Sequence, residues 1–161
     1  MKQINHERLR RLLSYISLFC VAVGLDQITK YLVARNYFDW LATPFLTLRV
    51  KRNYGFALSL FASVGQASQK IFVALAVMAL LFVLSIFFSK LVFKRKPALG
   101  ETLILAGGFS NVLDRLTQGF VVDFIKFRVF GFNLSPMNIA DILIFSGVVW
   151  VVFYEQRKNL N

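Results

Sequence analysis

The chain has 161 residues, 57% of them hydrophobic and 18 of them Phe, with 19 Lys and Arg against 8 Asp and Glu. The length suits one domain, but a soluble domain carries about 45–50% apolar residues, and here the excess is gathered into runs of about 20, which excludes an ordinary soluble fold and indicates an integral membrane protein. One His and one Cys exclude a Cys/His metal cluster and a disulfide framework, so carboxylates are the leading candidates for any hydrolytic chemistry.

The net charge of +11 would suit a nucleic-acid surface, but the cations stand at the ends of apolar runs. Arg8, Arg10 and Arg11 precede the first run, and Lys90, Lys94, Arg95 and Lys96 follow the second. Those places suit headgroups and exclude nucleic acid as the expected partner.

The first apolar run, roughly 12–34, has the basic prefix of a signal peptide. It nevertheless continues past a normal signal core, carries Asp26 and Lys30, and lacks an A-x-A pattern. An uncleaved signal anchor is expected, with Cys20 packing inside the membrane because the preceding Phe19 is too large for a lipidation site. The next segment, roughly 36–69, alternates apolar and polar residues around Phe45–Val50 and predicts a small outer β-rich element. A second span, roughly 71–93, is hydrophobic on every face and reads as lipid-facing. The third, roughly 99–116, is broken by Gly107, Gly108, Asn111, Asp114 and Arg115; residues 119–134 then read as extended chain. The fourth, roughly 137–154, opens with Asn138 and Asp141.

The expected fold is therefore a mainly α, integral membrane protein: a single polytopic domain of four transmembrane helices with a small outer β-rich element. Ten cations fall in the short segments on the N-terminal side of the membrane and seven in the much longer opposite segments. By the positive-inside rule both termini are cytoplasmic.

An ionisable side chain at the centre of a spanning helix costs roughly 2.5–3.5 kcal/mol on insertion scales, so each calls for a partner or a purpose. Asp26 and Lys30, four apart, share a helix face and suit a local ion pair. Asn111, Asp114 and Arg115 share another face, one turn after Gly107, which would let a second helix approach. Asp123 follows the third span and Asp141 begins the fourth, so both come out near one membrane boundary. Two neighbouring carboxyls that share a proton can act as base toward a water and acid toward a carbonyl. Spacing alone leaves a second reading open, in which Asp123 caps a turn and Asp141 sits at its helix N-terminus. Two other functions also stay open: a small ion- or proton-translocating protein, and a Ser/Lys peptidase using Lys30 with Ser110 or Ser59.

Asp26-Gln27-Ile28-Thr29-Lys30, Asn53-Tyr54-Gly55-Phe56-Ala57, Gly107 to Arg115 continuing through Gly119-Phe120-Val121-Val122-Asp123-Phe124, and Asn138-Ile139-Ala140-Asp141 resemble the successive signature blocks of bacterial lipoprotein signal peptidase, signal peptidase II. The resemblance spans nearly the whole chain, and its N-x-x-D-R-x-x-x-G-x-V-x-D-F string followed by N-x-A-D is highly specific. It implies an intramembrane aspartyl endopeptidase that removes signal peptides from prolipoproteins by cutting before the diacylglyceryl-modified cysteine. Asp123 and Asp141 would be the catalytic pair, Asn53, Asn111, Arg115 and Asn138 would position dyad and substrate, and Asp26, Lys30 and Asp114 would support them. The expected partners are diacylglyceryl prolipoproteins and membrane lipids. The chain is expected to be a monomer in the bacterial cytoplasmic (inner) membrane, with its site near the outer face and no need of a metal or organic cofactor. Phe56 and Leu58 depart from the family pattern, which has a smaller residue and a Phe there.

Overall fold

The computed structural model describes residues 2–35, 43–55, 66–94 and 96–159. The predicted Phe56 and Leu58 departures, Ser59 and much of the 36–69 element lie outside the described residues. Among the described residues the order is α1 (Lys2–Ala34), β1 (Leu46–Asn53), α2 (Gln66–Phe88) running into a π-helical segment (Ser89–Lys94), α3 (Leu99–Gln118), β2 (Val121–Val129), β3 (Phe132–Asn133) and α4 (Ile139–Asn159).

The burial pattern is inverted relative to a water-soluble protein. Asp26, Lys30, Asn53, Glu101, Ser110, Asn111, Asp114, Asp123 and Asn138 are buried, while Leu13, Val21, Leu25, Leu81, Phe82, Phe145 and Phe153 are exposed. Apolar side chains outward and polar ones inward suit a hydrocarbon solvent. Among the described residues two helices, His6–Ala34 and Lys70–Phe93, are long and apolar enough to cross a membrane; Ile139–Tyr154 is a shorter apolar helix.

α3 is the central helix and packs against α1, α2 and α4. On α1 the buried stripe is Ala22, Asp26, Lys30 and Val33, the i, i+4, i+8, i+11 spacing of one helical face. α4 lies against α3 through glycines. A Cβ on Gly107 would collide with the Ala140 carbonyl oxygen, and one on Gly147 would stand 2.6 Å from that of Gly100, so Gly107 plays the close-approach part its sequence position suggested. α2, apolar all round, leaves a groove of about 530 Å³ between itself and α1, floored by α3 and lined by Leu12, Phe19, Leu81, Phe88, Leu105 and Val112 among others.

Three features depart from the sequence reading. α1 begins ten residues before the apolar run, because Arg, Lys, Gln and Glu are good helix formers whose charges can remain in water. Cys20 is exposed on α1 rather than packed inside the bundle. Lys90, read as a flanking cation, forms a buried pair with Glu101 at 2.6 Å, at the end of α3 opposite Asp114. Glu101 lies on the first turn of α3, where a carboxylate suits the helix dipole, and the Ala98 amide just before that turn donates to the Tyr15 hydroxyl at 3.1 Å.

α3 stops at Gly119, whose φ of 80° is left-handed and whose N–H donates to the Arg115 carbonyl, the usual glycine stop of a helix. The chain then runs directly into β2. β1 and β2 are antiparallel, from Leu46 opposite Phe127 to Asn53 opposite Val121, with a bulge between Leu48 and Lys51. The extra residue of that bulge brings Lys51 opposite Asp123 and Asn53 opposite Val121, two residues from Asp123 on the same face. β2 turns through Phe130 and Gly131, at φ 48° and 81°, into β3. Met137 bridges back to Ile125 and leads the chain into α4. The extended chain expected over 119–134, and a strand within 46–53, are thus both present.

Candidate active site

The first turn of α4 is built by an Asn-x-x-Asp capping box. Asn138 Oδ1 accepts from the Asp141 N–H at 2.9 Å, and Asp141 Oδ2 accepts from the Asn138 N–H at 3.2 Å; each side chain satisfies an amide that a helix start leaves unpaired. The Ala140 N–H, a third such donor, is satisfied from another helix by Asp26 Oδ1 at 2.8 Å. Asp26 is thus an N-terminal cap delivered from α1, far off in sequence.

The rest of Asp26 belongs to a buried charge cluster. Its Oδ2 accepts from the Ser110 hydroxyl at 2.7 Å and lies 2.6 Å from Lys30 Nζ. Lys30 also lies 2.8 Å from Asp114 Oδ2 and donates to Asn111 Oδ1 at 3.0 Å, so three oxygens surround its ammonium. Gln27 Nε2 donates to Ser110 Oγ and Asp114 Oδ1, both at 2.8 Å. The two polar faces read separately on α1 and α3 are therefore one network. Gln27 and Ser110 are members that sequence reasoning left without a part in it. Because the Ser110 proton is directed at Asp26 and Lys30 is held by three oxygens, neither is arranged as a nucleophile and its base.

Three asparagines hold Asp123 and Asp141, two of them, Asn111 and Asn138, joined to that network. Asn53 receives the Gly55 N–H on its Oδ1 at 2.9 Å and donates to Asp123 Oδ2 at 2.9 Å. Asn138, its Oδ1 held by the capping box, donates to Asp123 Oδ1 at 2.8 Å. Asn111, its Oδ1 held by Lys30, donates to Asp141 Oδ1 at 2.9 Å. In each case the carbonyl end is fixed by the scaffold and the amide end is aimed at a carboxyl. Arg115 does something different: its two terminal nitrogens donate to the backbone carbonyls of Asn111 at 3.1 Å and Gly55 at 2.8 Å, tying α3 to the segment after β1.

Asp123 is 1% exposed. Burial, followed by the negative charge of Asp141, pushes its pKa from the ordinary 3.8 up to about 7, against the opposing hydrogen bonds of Asn53 and Asn138 and the charge of Lys30. Asp123 and Asp141 line one cavity of about 120 Å³ with Asn53, Asn111, Arg115, Ala76, Gly108, Val112, Val121 and Ile144. That volume far exceeds the roughly 10–15 Å³ needed by one water. The cavity thus has two carboxyls, amide donors, space for water, and apolar walls from three helices.

Polar groups enclosed by outward-facing apolar helices, with a cavity lined by two acids, are the arrangement of a membrane protein with a buried polar site. The chain belongs to the signal peptidase II family: the family model described as signal peptidase (SPase) II matches residues 18–156. A lipoprotein signal peptidase of Wigglesworthia glossinidia brevipalpis is 33% identical over 150 residues, covering 91% of this chain and 94% of that one. That of Clostridioides difficile (strain 630) is 34% identical over 155 residues, covering 90% and 99%. A bacterial membrane enzyme solved by the in meso method at 1.9 Å resolution superposes with a TM-score of 0.72 at 26% identity, covering 88% of this chain and 91% of that one. The chain is accordingly a peptidase of a membrane-enzyme family.

Proposed function

We infer that this protein is an intramembrane aspartyl endopeptidase that removes signal peptides from prolipoproteins, cleaving before the diacylglyceryl-modified cysteine. The observation that carries this reading is the pair Asp123 and Asp141, brought from β2 and α4 to one cavity and held there by Asn53, Asn111 and Asn138. In this reading one carboxylate takes a proton from water as the water oxygen bonds to the scissile carbonyl carbon. The other carboxyl gives its proton to the carbonyl oxygen. Collapse of the tetrahedral adduct returns a hydroxyl proton to the second carboxylate as the carbonyl re-forms, and breaks the C–N bond, the amine leaving with the proton held by the first carboxyl. Arg115 holds the chain at Gly55 over the cavity, and Asp26, Lys30 and Asp114 fix the first turn of α4.

The four helices all cross the bacterial inner membrane in this reading, as one polytopic domain with cytoplasmic termini, and the sheet lies at the outer face. A substrate helix then reaches the cavity laterally while its acyl chains remain in lipid. The test is processing of a diacylglyceryl precursor in nanodiscs, beside the same peptide without lipid. Asp123→Asn and Asp141→Asn should each abolish cleavage while leaving the protein folded. Near-normal turnover in either variant would remove the dyad, and cleavage indifferent to the lipid would remove the substrate assignment.

A further inference from the structure

The far end of the sheet carries no chemistry of the site, yet its composition is distinctive. Phe130 is 94% exposed, Phe132 76% and Phe45 74%. The ladder gathers them at one end: Val129 is opposite Phe132, and the Arg128 N–H donates to the Phe45 carbonyl at 2.9 Å. Side chains alternate along a strand, and directly opposed residues share a face. The face that bears Asp123 therefore continues as Ile125 with Leu48, Phe127 with Leu46, and Val129 with Phe132. The other face carries Lys126 with Thr47 and Arg128 with Asn133. This distal half is amphipathic, cationic on its polar face, and ends in a turn that holds Phe130 at φ 48°. A bulky side chain rarely adopts that conformation, and a Gly there would be relaxed. Strain retained at a fully exposed aromatic points to a use outside the folded chain itself.

We propose that this distal half of the sheet beds into an anionic phospholipid surface, its Phe127, Val129, Phe132 face and the Phe130 tip at the headgroup–acyl boundary and Lys126 and Arg128 among the phosphates. Apolar, aromatic and cationic groups divided in this way are what an interfacial element presents to anionic lipid. Phe130 follows the end of β2 and stands seven residues after Asp123, about 23 Å at 3.3 Å per residue, so the seated tip acts as a lever that fixes the tilt of the ladder holding Asn53 against Asp123. The proposal rests on the membrane placement inferred above and is independent of the peptidase chemistry.

The test uses the full chain in nanodiscs with brominated acyl chains. One protein, Trp40→Phe, reports Trp150 on α4; a second, Trp40→Phe with Trp150→Phe and Phe132→Trp, reports the tip. Seating predicts bromolipid quenching of both, a blue-shifted tip emission, poor acrylamide access to the tip, and stronger tip quenching with phosphatidylglycerol than with phosphatidylcholine alone. Adding Phe130→Gly relieves the turn, so this variant should keep its thermal stability and lose much of the tip quenching. Trp150 quenched beside an acrylamide-accessible, bromolipid-insensitive tip overturns the proposal and leaves the membrane placement standing. Failure of both reporters to quench overturns both, and a tip shielded from acrylamide yet insensitive to bromolipid beside a quenched Trp150 overturns the proposal as well, since the tip is then covered by protein and not by lipid.

Discussion

Replacing Asp123 by Asn separates the electrostatics of the site from its packing. A carboxyl whose pKa stands at about 7 when folded and at the ordinary 3.8 when unfolded binds more protons in the native state. Its contribution to stability therefore falls as pH rises from the unfolded value to the folded one, and levels off above it. The span from 3.8 to about 7 corresponds to about 4 kcal/mol, of which about 1–2 kcal/mol is already lost at pH 5 and about 2–3 kcal/mol develops between pH 5 and pH 8. Asparagine cannot ionise, and it presents one acceptor oxygen where two amides, from Asn53 and Asn138, now donate. Loss of that second acceptor costs about 1–3 kcal/mol at any pH. The variant should thus lie close to wild type at pH 5 and exceed it by about 1–3 kcal/mol at pH 8. Thermal unfolding in one detergent at the two pH values reads this divergence of the curves. Cleavage should be absent from the variant at both, and wild-type cleavage should decline as the shared proton is lost above about pH 7. Parallel wild-type and variant stability curves would refute the argument that Asp123 is held as an acid by burial and by Asp141.

Other substitutions probe the remaining contacts. Lys30→Met should destabilise by about 3–5 kcal/mol in the same unfolding assay, because it leaves Asp26 and Asp114 buried without their common cation. Asn138→Ala removes a helix cap worth about 1 kcal/mol together with the amide that holds Asp123; Asn138→Ser should restore much of the thermal stability and little of the cleavage rate, since a Ser hydroxyl can cap but does not reproduce that amide's reach. Arg115→Lys should lower kcat/KM, read as rates across substrate concentrations, because one ammonium replaces a planar fork spanning the carbonyls of Asn111 and Gly55. Gly107→Ala should cost about 1–3 kcal/mol by forcing α4 away from α3 at Ala140.

Much of this was legible because membrane chemistry makes polar residues conspicuous. The Asp26 and Lys30 pair follows from a spacing of four on one helix face, and Asn138-x-x-Asp141 follows from capping geometry. The capping and catalytic readings of Asp141 do not compete for one atom: Oδ2 closes the box, and Oδ1 accepts from Asn111 at the cavity. Joining Asp26 to Ala140 and Ser110 was beyond reach, because that requires the relative placement of helices separated by more than eighty residues. The Lys90 and Glu101 pair was hidden by the habit of reading terminal cations as headgroup ligands. The hairpin turn was hidden because Phe-Gly is not a usual signal for two successive positive φ angles.

The state of the two acids follows from the charge around them. Asp26, Asp114, Asp123 and Asp141 stand in one connected network with two cations, Lys30 and Arg115. Full ionisation would therefore leave two negative charges uncompensated in surroundings of low dielectric, where unpaired charge is most costly. Asp26 faces Lys30, Ser110 and the N-terminus of α4, and Asp114 faces Lys30 and Gln27. Among the described residues Asp123 and Asp141 accept only from neutral amides. The cation of the supporting cluster is thus engaged by Asp26 and Asp114, and Asp123, pushed up to about 7 by burial and by Asp141, is a place where a proton is held at the cavity.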